Sequence, residues 1–82
     1  MDKAVVLEVI ATAAREVIPD LDEHAFIETD RLTDLGANSV DRAEIAMLAQ
    51  ESLSLSIPRV ELFGPTNIGE LADLFLKKMP LA

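Results

Sequence analysis

The chain has 82 residues, enough for one domain with one modest core and too few for a deep catalytic cavity. Fifteen Asp and Glu against seven Lys and Arg leave a net charge of −8, which argues against nucleic acid and anionic membrane surfaces as partners and makes a basic partner the natural complement. With no Cys, the chain supplies no disulfide, thiolate metal site or thiol nucleophile, so any thiol must arrive on a prosthetic group.

Half the residues are apolar, yet Trp and Tyr are missing and only three Phe occur. A core of Leu, Ile, Val, Ala and Met suits packed helices better than a sandwich. The N-terminus lacks the basic flank and long apolar run of a signal peptide, and no stretch reaches membrane-spanning length. The expectation is a cytoplasmic monomer, one domain over residues 1–82.

In chain order, Val6, Ile10, Ala13 and Val17 form one stripe opposite Glu8, Thr12, Arg15 and Glu16. The spacing predicts an amphipathic helix over 3–18, started by Asp2 and ended by Pro19. Residues 20–38 show no sustained period and read as a long loop with room for one helical turn, pinned by Leu21, Phe26, Ile27, Leu32 and Leu35. A second helix is expected over 39–53, opened by Gly36 and capped by either Asn38 or Ser39. Its apolar residues fall on two stripes, Val40, Ala43 and Met47 against Ile45, Leu48 and Ala49, more than one core can obviously bury.

Pro58 and Gly64 bracket a very short helix over 59–63, with Pro58 in its first turn and Gly64 at its C-terminal cap. The last helix spans 67–79, with Ile68, Leu71, Ala72, Phe75 and Met79 on one face, acids early, Lys77 and Lys78 late, and Pro80 as its stop. The expected core is Val6, Ile10, Phe26, Leu35, Leu48, Leu62, Leu71 and Phe75. The fold class is all-α, a small four-helix bundle with a long first loop and a short third helix.

The segment from Asp34 through Leu35, Gly36, Ala37, Asn38, Ser39, Val40, Asp41, Arg42 and Ala43 to Glu44 and Ile45 resembles the phosphopantetheine attachment motif of acyl carrier proteins. The order of elements along the whole chain is also similar to that family. The resemblance implies a carrier without catalysis of its own, in which Ser39 accepts 4'-phosphopantetheine from coenzyme A through a separate phosphopantetheinyl transferase. Gly36 and Asn38 frame that serine. A phosphodiester there would meet the free N–H groups of a helix start. An isolated Gly-x-x-Ser before a helix would read as a cap only.

Asn38 stands where most carriers have Asp, a residue that assists the metal-dependent transfer, so Asp41 or Glu44 is left to compensate. The variant resembles freestanding carriers of bacterial polyketide pathways, especially donors that pass acetyl units to a hydroxymethylglutaryl-synthase-like (HMG-synthase-like) enzyme. Ketosynthase and acyltransferase are the other implied partners, with fatty acid biosynthesis the alternative setting to a polyketide pathway.

The family's recognition positions fall on Val40, Glu44, Met47 and Glu51, with Asp41 beside the serine. Met47 fits a docking role and a core role equally. Arg42 fits either a charge-selective contact with one partner or a local pair with Asp41 or Glu44.

His24 has no nucleophile or ligand cluster around it in sequence and reads as a surface or packing residue. The acids of the loop lack the spacing of a calcium loop, and no metal site is expected. Two other readings remain: a peptidyl carrier domain, and an acidic helical interaction module without modification.

Overall fold

The computed structural model describes residues 2–79, and every regular element among them is helical. Helix α1 spans Lys3–Val17, a 3-10 turn follows at Pro19–Leu21, and α2 (Ser39–Ser52), α3 (Arg59–Leu62) and α4 (Ile68–Lys78) complete the chain. The all-α architecture with a long first loop and a short third helix is as expected. Pro80, read as the stop of the last helix, lies outside the described residues.

Each long helix starts where a side chain takes up a free backbone N–H. Asp2 accepts from Val5 at 3.0 Å, Asn38 from Asp41 at 2.8 Å and Asn67 from Glu70 at 2.8 Å. Helix α1 ends at Ile18, whose N–H still reaches the Ala14 carbonyl at 2.8 Å before Pro19 breaks the ladder. Helix α2 closes in a Schellman turn: Leu55 N–H donates to the Gln50 carbonyl at 2.8 Å, with Ser54 between them in the left-handed region at φ 56°.

The brackets of α3 are shifted from expectation. Pro58 is the residue before the helix, and Phe63, in ordinary right-handed geometry, is the C-cap that Gly64 was expected to be. Gly64 comes one residue later, its N–H donating to the Glu61 carbonyl at 3.3 Å.

The core is centred on Phe75, Ile10, Ile45, Ile68 and Val6, all fully buried. Helix α1 packs against both α2 and α4, and Ala13, Ala14, Ala49 and Ala72 let the backbones approach closely. Of the expected core, Val6, Ile10, Leu71 and Phe75 are buried. Phe26, Leu35, Leu48 and Leu62 instead lie half-buried around its edge. Ile45 and Ala49, from the second stripe of α2, hold the central place expected of Leu48.

The first loop is tied down along its length. Leu21 and Leu32 are buried anchors, and Phe26 and Leu35 are half-buried ones. Ile27 is not an anchor: it is 61% exposed. Residues 24–27 form no helix, and in such a stretch adjacent side chains diverge, so with Phe26 turned inward Ile27 turns out. His24 is a packing residue, edge-on to Phe26 at 4.6 Å, with Arg15 stacked over the same ring at 5.0 Å. Its Nε2 meets the Asp30 carboxylate at 2.9 Å, and the Asp30 and Glu28 carbonyls accept the Ile68 and Gly69 N–H groups at 2.9 Å each. Lys3 reaches Glu28 at 2.6 Å and Asp73 at 3.0 Å, joining α1, the loop and α4.

Candidate functional site

The loop reaches α2 through a tight turn. The Ala37 N–H donates to the Leu32 carbonyl at 3.0 Å, and Gly36 takes φ +95°, a conformation that disfavours side chains. Ala37 and Leu32 are buried, so the turn is anchored from beneath. Asn38 then stands extended at the head of α2, and the cap is reciprocal. Its Oδ1 accepts the Asp41 N–H at 2.8 Å, while the Asp41 carboxylate accepts the Asn38 N–H at 3.2 Å.

Of the two possible caps, Asn38 is the one used. Ser39 is the first residue of the helix proper, exposed, with its hydroxyl outside the capping box. Among the described residues no acceptor meets the N–H groups of Ser39 and Val40.

Arg42 does not form the local pair that was one of the two alternatives read from sequence. Its Nη1 donates to the Ala37 carbonyl at 3.0 Å, and no ion pair joins it to Asp41 or Glu44. Helical side chains lean toward the N-terminus, and that lean carries the guanidinium back over the turn. The half-buried arginine thus braces the backbone just before Ser39.

The two stripes of α2 part at their ends, with Ala43 and Leu48 half-buried between them. Ile45 and Ala49 are fully buried, while Val40 is 70% and Met47 51% exposed, so Met47 is a surface residue. Glu44 and Glu51 are exposed along the same outer side, and Asp41 is half-buried at the cap. Sequence reasoning missed Val60 of α3 and Phe63 at its C-cap, which are 76% and 74% exposed. The available signal was the brevity of that helix, since one turn cannot bury an apolar residue on every side.

Among the described residues no three metal-ligating side chains converge, and no helix is long and apolar enough to cross a membrane.

The sequence pattern of the family described as "Phosphopantetheine attachment site" matches residues 4–75. The polyketide biosynthesis acyl-carrier protein AcpK of Bacillus subtilis (strain 168) is 52% identical over 82 residues, covering all of both chains. The fold also matches a chain in the crystal structure of the curacin biosynthetic pathway HMG synthase in complex with acetyl donor-ACP. That match has a TM-score of 0.89 and 52% identity, and covers 95% of this chain and 100% of that one. On these matches and this architecture, the chain belongs to the acyl carrier proteins, whose cofactor is a covalently attached 4'-phosphopantetheine.

Proposed function

We propose that Ser39 bears the phosphopantetheine arm, and that residues 1–82 form a single carrier domain presenting acyl thioesters to cytoplasmic enzymes of a polyketide pathway. The observation that carries this reading is the division of labour at the head of α2. Asn38 caps the helix, so Ser39 keeps an exposed hydroxyl beside two N–H groups without an acceptor. The site fits a phosphodiester, because free N–H groups and the positive end of the helix dipole favour an anion there. An unmodified interaction module would need Ser39 only as a cap, a role already taken.

When bound, the arm supplies the thiol that the chain lacks, on which an acyl group is held as a thioester. The chain's own part is to expose Ser39, hold the turn before it and be recognised. Val40, Asp41, Glu44, Met47 and Glu51 form the recognition face, with Val60 of α3 and Phe63 at its C-cap adding apolar contacts. Arg42 is the one positive charge on α2 and gives that face a means of selecting partners.

The named relatives, a polyketide acyl carrier and an acetyl donor bound to HMG synthase, support an acetyl donor for a hydroxymethylglutaryl-synthase-like enzyme. Intact mass after incubation with coenzyme A and a broad-specificity phosphopantetheinyl transferase tests the attachment. One arm is expected on the natural chain and none on Ser39→Ala, whose stability stays within about 0.5 kcal/mol because the cap is intact. Full labelling of Ser39→Ala, or an arm on Ser52, Ser54 or Ser56, would refute the assignment.

A further inference from the structure

We propose that the cleft between α1 and α2 is a second docking surface, and that its occupant is a cationic amphipathic helix of a partner polypeptide. The cleft, of roughly 370 Å³, has Val5 and Val9 of α1 and Leu48 of α2 on its floor. Val5 is 46% exposed, and the other two are half-buried, so apolar surface stays open to water there. Glu8 and Glu16 of α1 and Glu51 of α2 rim it, and no Lys or Arg lines it. Only Glu8 has a cationic neighbour, Arg15 at 3.7 Å; among the described residues Glu16 and Glu51 have none.

The chemistry selects the occupant. A trough between two helices accepts a third helix laid along it, with its apolar stripe on the floor and basic flanks against the rim. Three carboxylates around an open floor repel anionic headgroups and leave an aliphatic chain uncovered. A second copy of this chain would bring another net charge of −8 to a negative rim. A helix with Lys or Arg beside its apolar residues satisfies both floor and rim.

Leu48 and Glu51 lie about 14 and 18 Å along α2 from Ser39, taking a rise of 1.5 Å per residue. An occupied cleft therefore leaves Ser39 and Val40 uncovered. A scaffold or enzyme could hold the carrier here while its other end is used, so recruitment and delivery become contacts that overlap only at Glu51. The proposal does not depend on which serine bears the arm.

The test is an amide chemical-shift titration of the unmodified full chain with a designed Leu/Lys helical peptide about four turns long. A Leu/Glu peptide of the same pattern is the control. Shifts centred on Val5, Val9, Thr12, Leu48 and Ser52 are expected with the Lys peptide only, weakening as salt rises. The double variant Glu16→Lys/Glu51→Lys should bind about tenfold more weakly at low salt, while circular dichroism stays helical. Val5→Gln should weaken binding about threefold at low and high salt alike. Shifts centred on Val40, Met47, Val60 and Phe63, or an absence of localised shifts, would overturn the proposal. So would the same cleft residues shifting when the protein alone is concentrated, since a second copy would then be the occupant.

Discussion

Helices α2 and α4 begin with the same chemistry. In each, an extended asparagine accepts the N–H of an acidic residue three positions on, Asp41 in one and Glu70 in the other, at 2.8 Å. In each, that acid reaches back, Asp41 to the Asn38 N–H and Glu70 to the Thr66 N–H and hydroxyl. The next two N–H groups have opposite fates. Those of Ile68 and Gly69 are closed by loop carbonyls of Asp30 and Glu28, whereas those of Ser39 and Val40 meet no acceptor among the described residues. One helix start is sealed into the fold and the other is left open, and the open one holds the serine. A capping sequence therefore says where a helix begins, while the tertiary cover over its first turn decides whether an anion can be received there.

The largest expected effect comes from breaking the sealed end. A Cβ on Gly69 would sit 2.8 Å from the Glu28 carbonyl oxygen and 3.0 Å from the Glu28 Cβ. The loop backbone would have to retreat, losing the Gly69-to-Glu28 bond. Gly69→Ala should therefore cost about 2 kcal/mol in urea unfolding, despite the better helix propensity of Ala. Ser39 should still be modified once the variant is folded, because the open end is untouched. Equal or higher stability in Gly69→Ala would show that the loop is not held against α4 as described.

A smaller effect separates energy from function. Asn38→Ala and Asn67→Ala each delete one cap and should each cost about 1 kcal/mol. Only Asn38→Ala also frees the backbone beside Ser39, so it alone should slow transferase loading, measured as initial rate by mass spectrometry. If both variants load at the natural rate, the cap does not position the serine.

The limits of α1 and the start of α2 were legible in sequence because they carry strong local signals: Asp2, Pro19 and Asn38 act within one turn of themselves. The candidate site was legible for the same reason, being one contiguous motif around Gly36, Asn38 and Ser39. What sequence did not show depends on distant neighbours. Ala49 and Ala72 lie on the apolar faces read from sequence but were left out of the expected core, being weak hydrophobic signals, yet both are fully buried where helices come close. Ile27 and Phe26 differ little in apolarity, and only the path of the loop turns one out and the other in. Arg42 had visible acids beside it, but the lean of its side chain toward the helix N-terminus takes it to the Ala37 carbonyl instead. The cap was undecided between Asn38 and Ser39 because both types serve, and the return contact from Asp41 settles it on Asn38.

The smallest effect sharpens the comparison by acidity. Burial pushes the Asp30 carboxyl up, but the Ile27 N–H and His24 together outweigh it, and Asp30 lies below its ordinary value. Glu70 is also held low, by the Thr66 N–H and then the Thr66 hydroxyl. Both groups belong to the sealed end. A carboxylate depressed in the folded state contributes stability that is present above its unfolded value and is lost as pH falls through the folded value. The unfolded references are 3.8 for Asp30 and 4.5 for Glu70, so acidification below that range should loosen the cover over α4. Amide shifts of Ile27 and Thr66 should titrate with midpoints below those references, since each N–H donates to the carboxylate concerned. Asp30→Asn should remove the Ile27 titration and flatten this part of the acid dependence of stability, leaving the loading of Ser39 unchanged at neutral pH. A Thr66 or Ile27 midpoint above the reference value would mean that burial dominates over the hydrogen bonds, and that the sealed end would gain stability from acid instead of losing it.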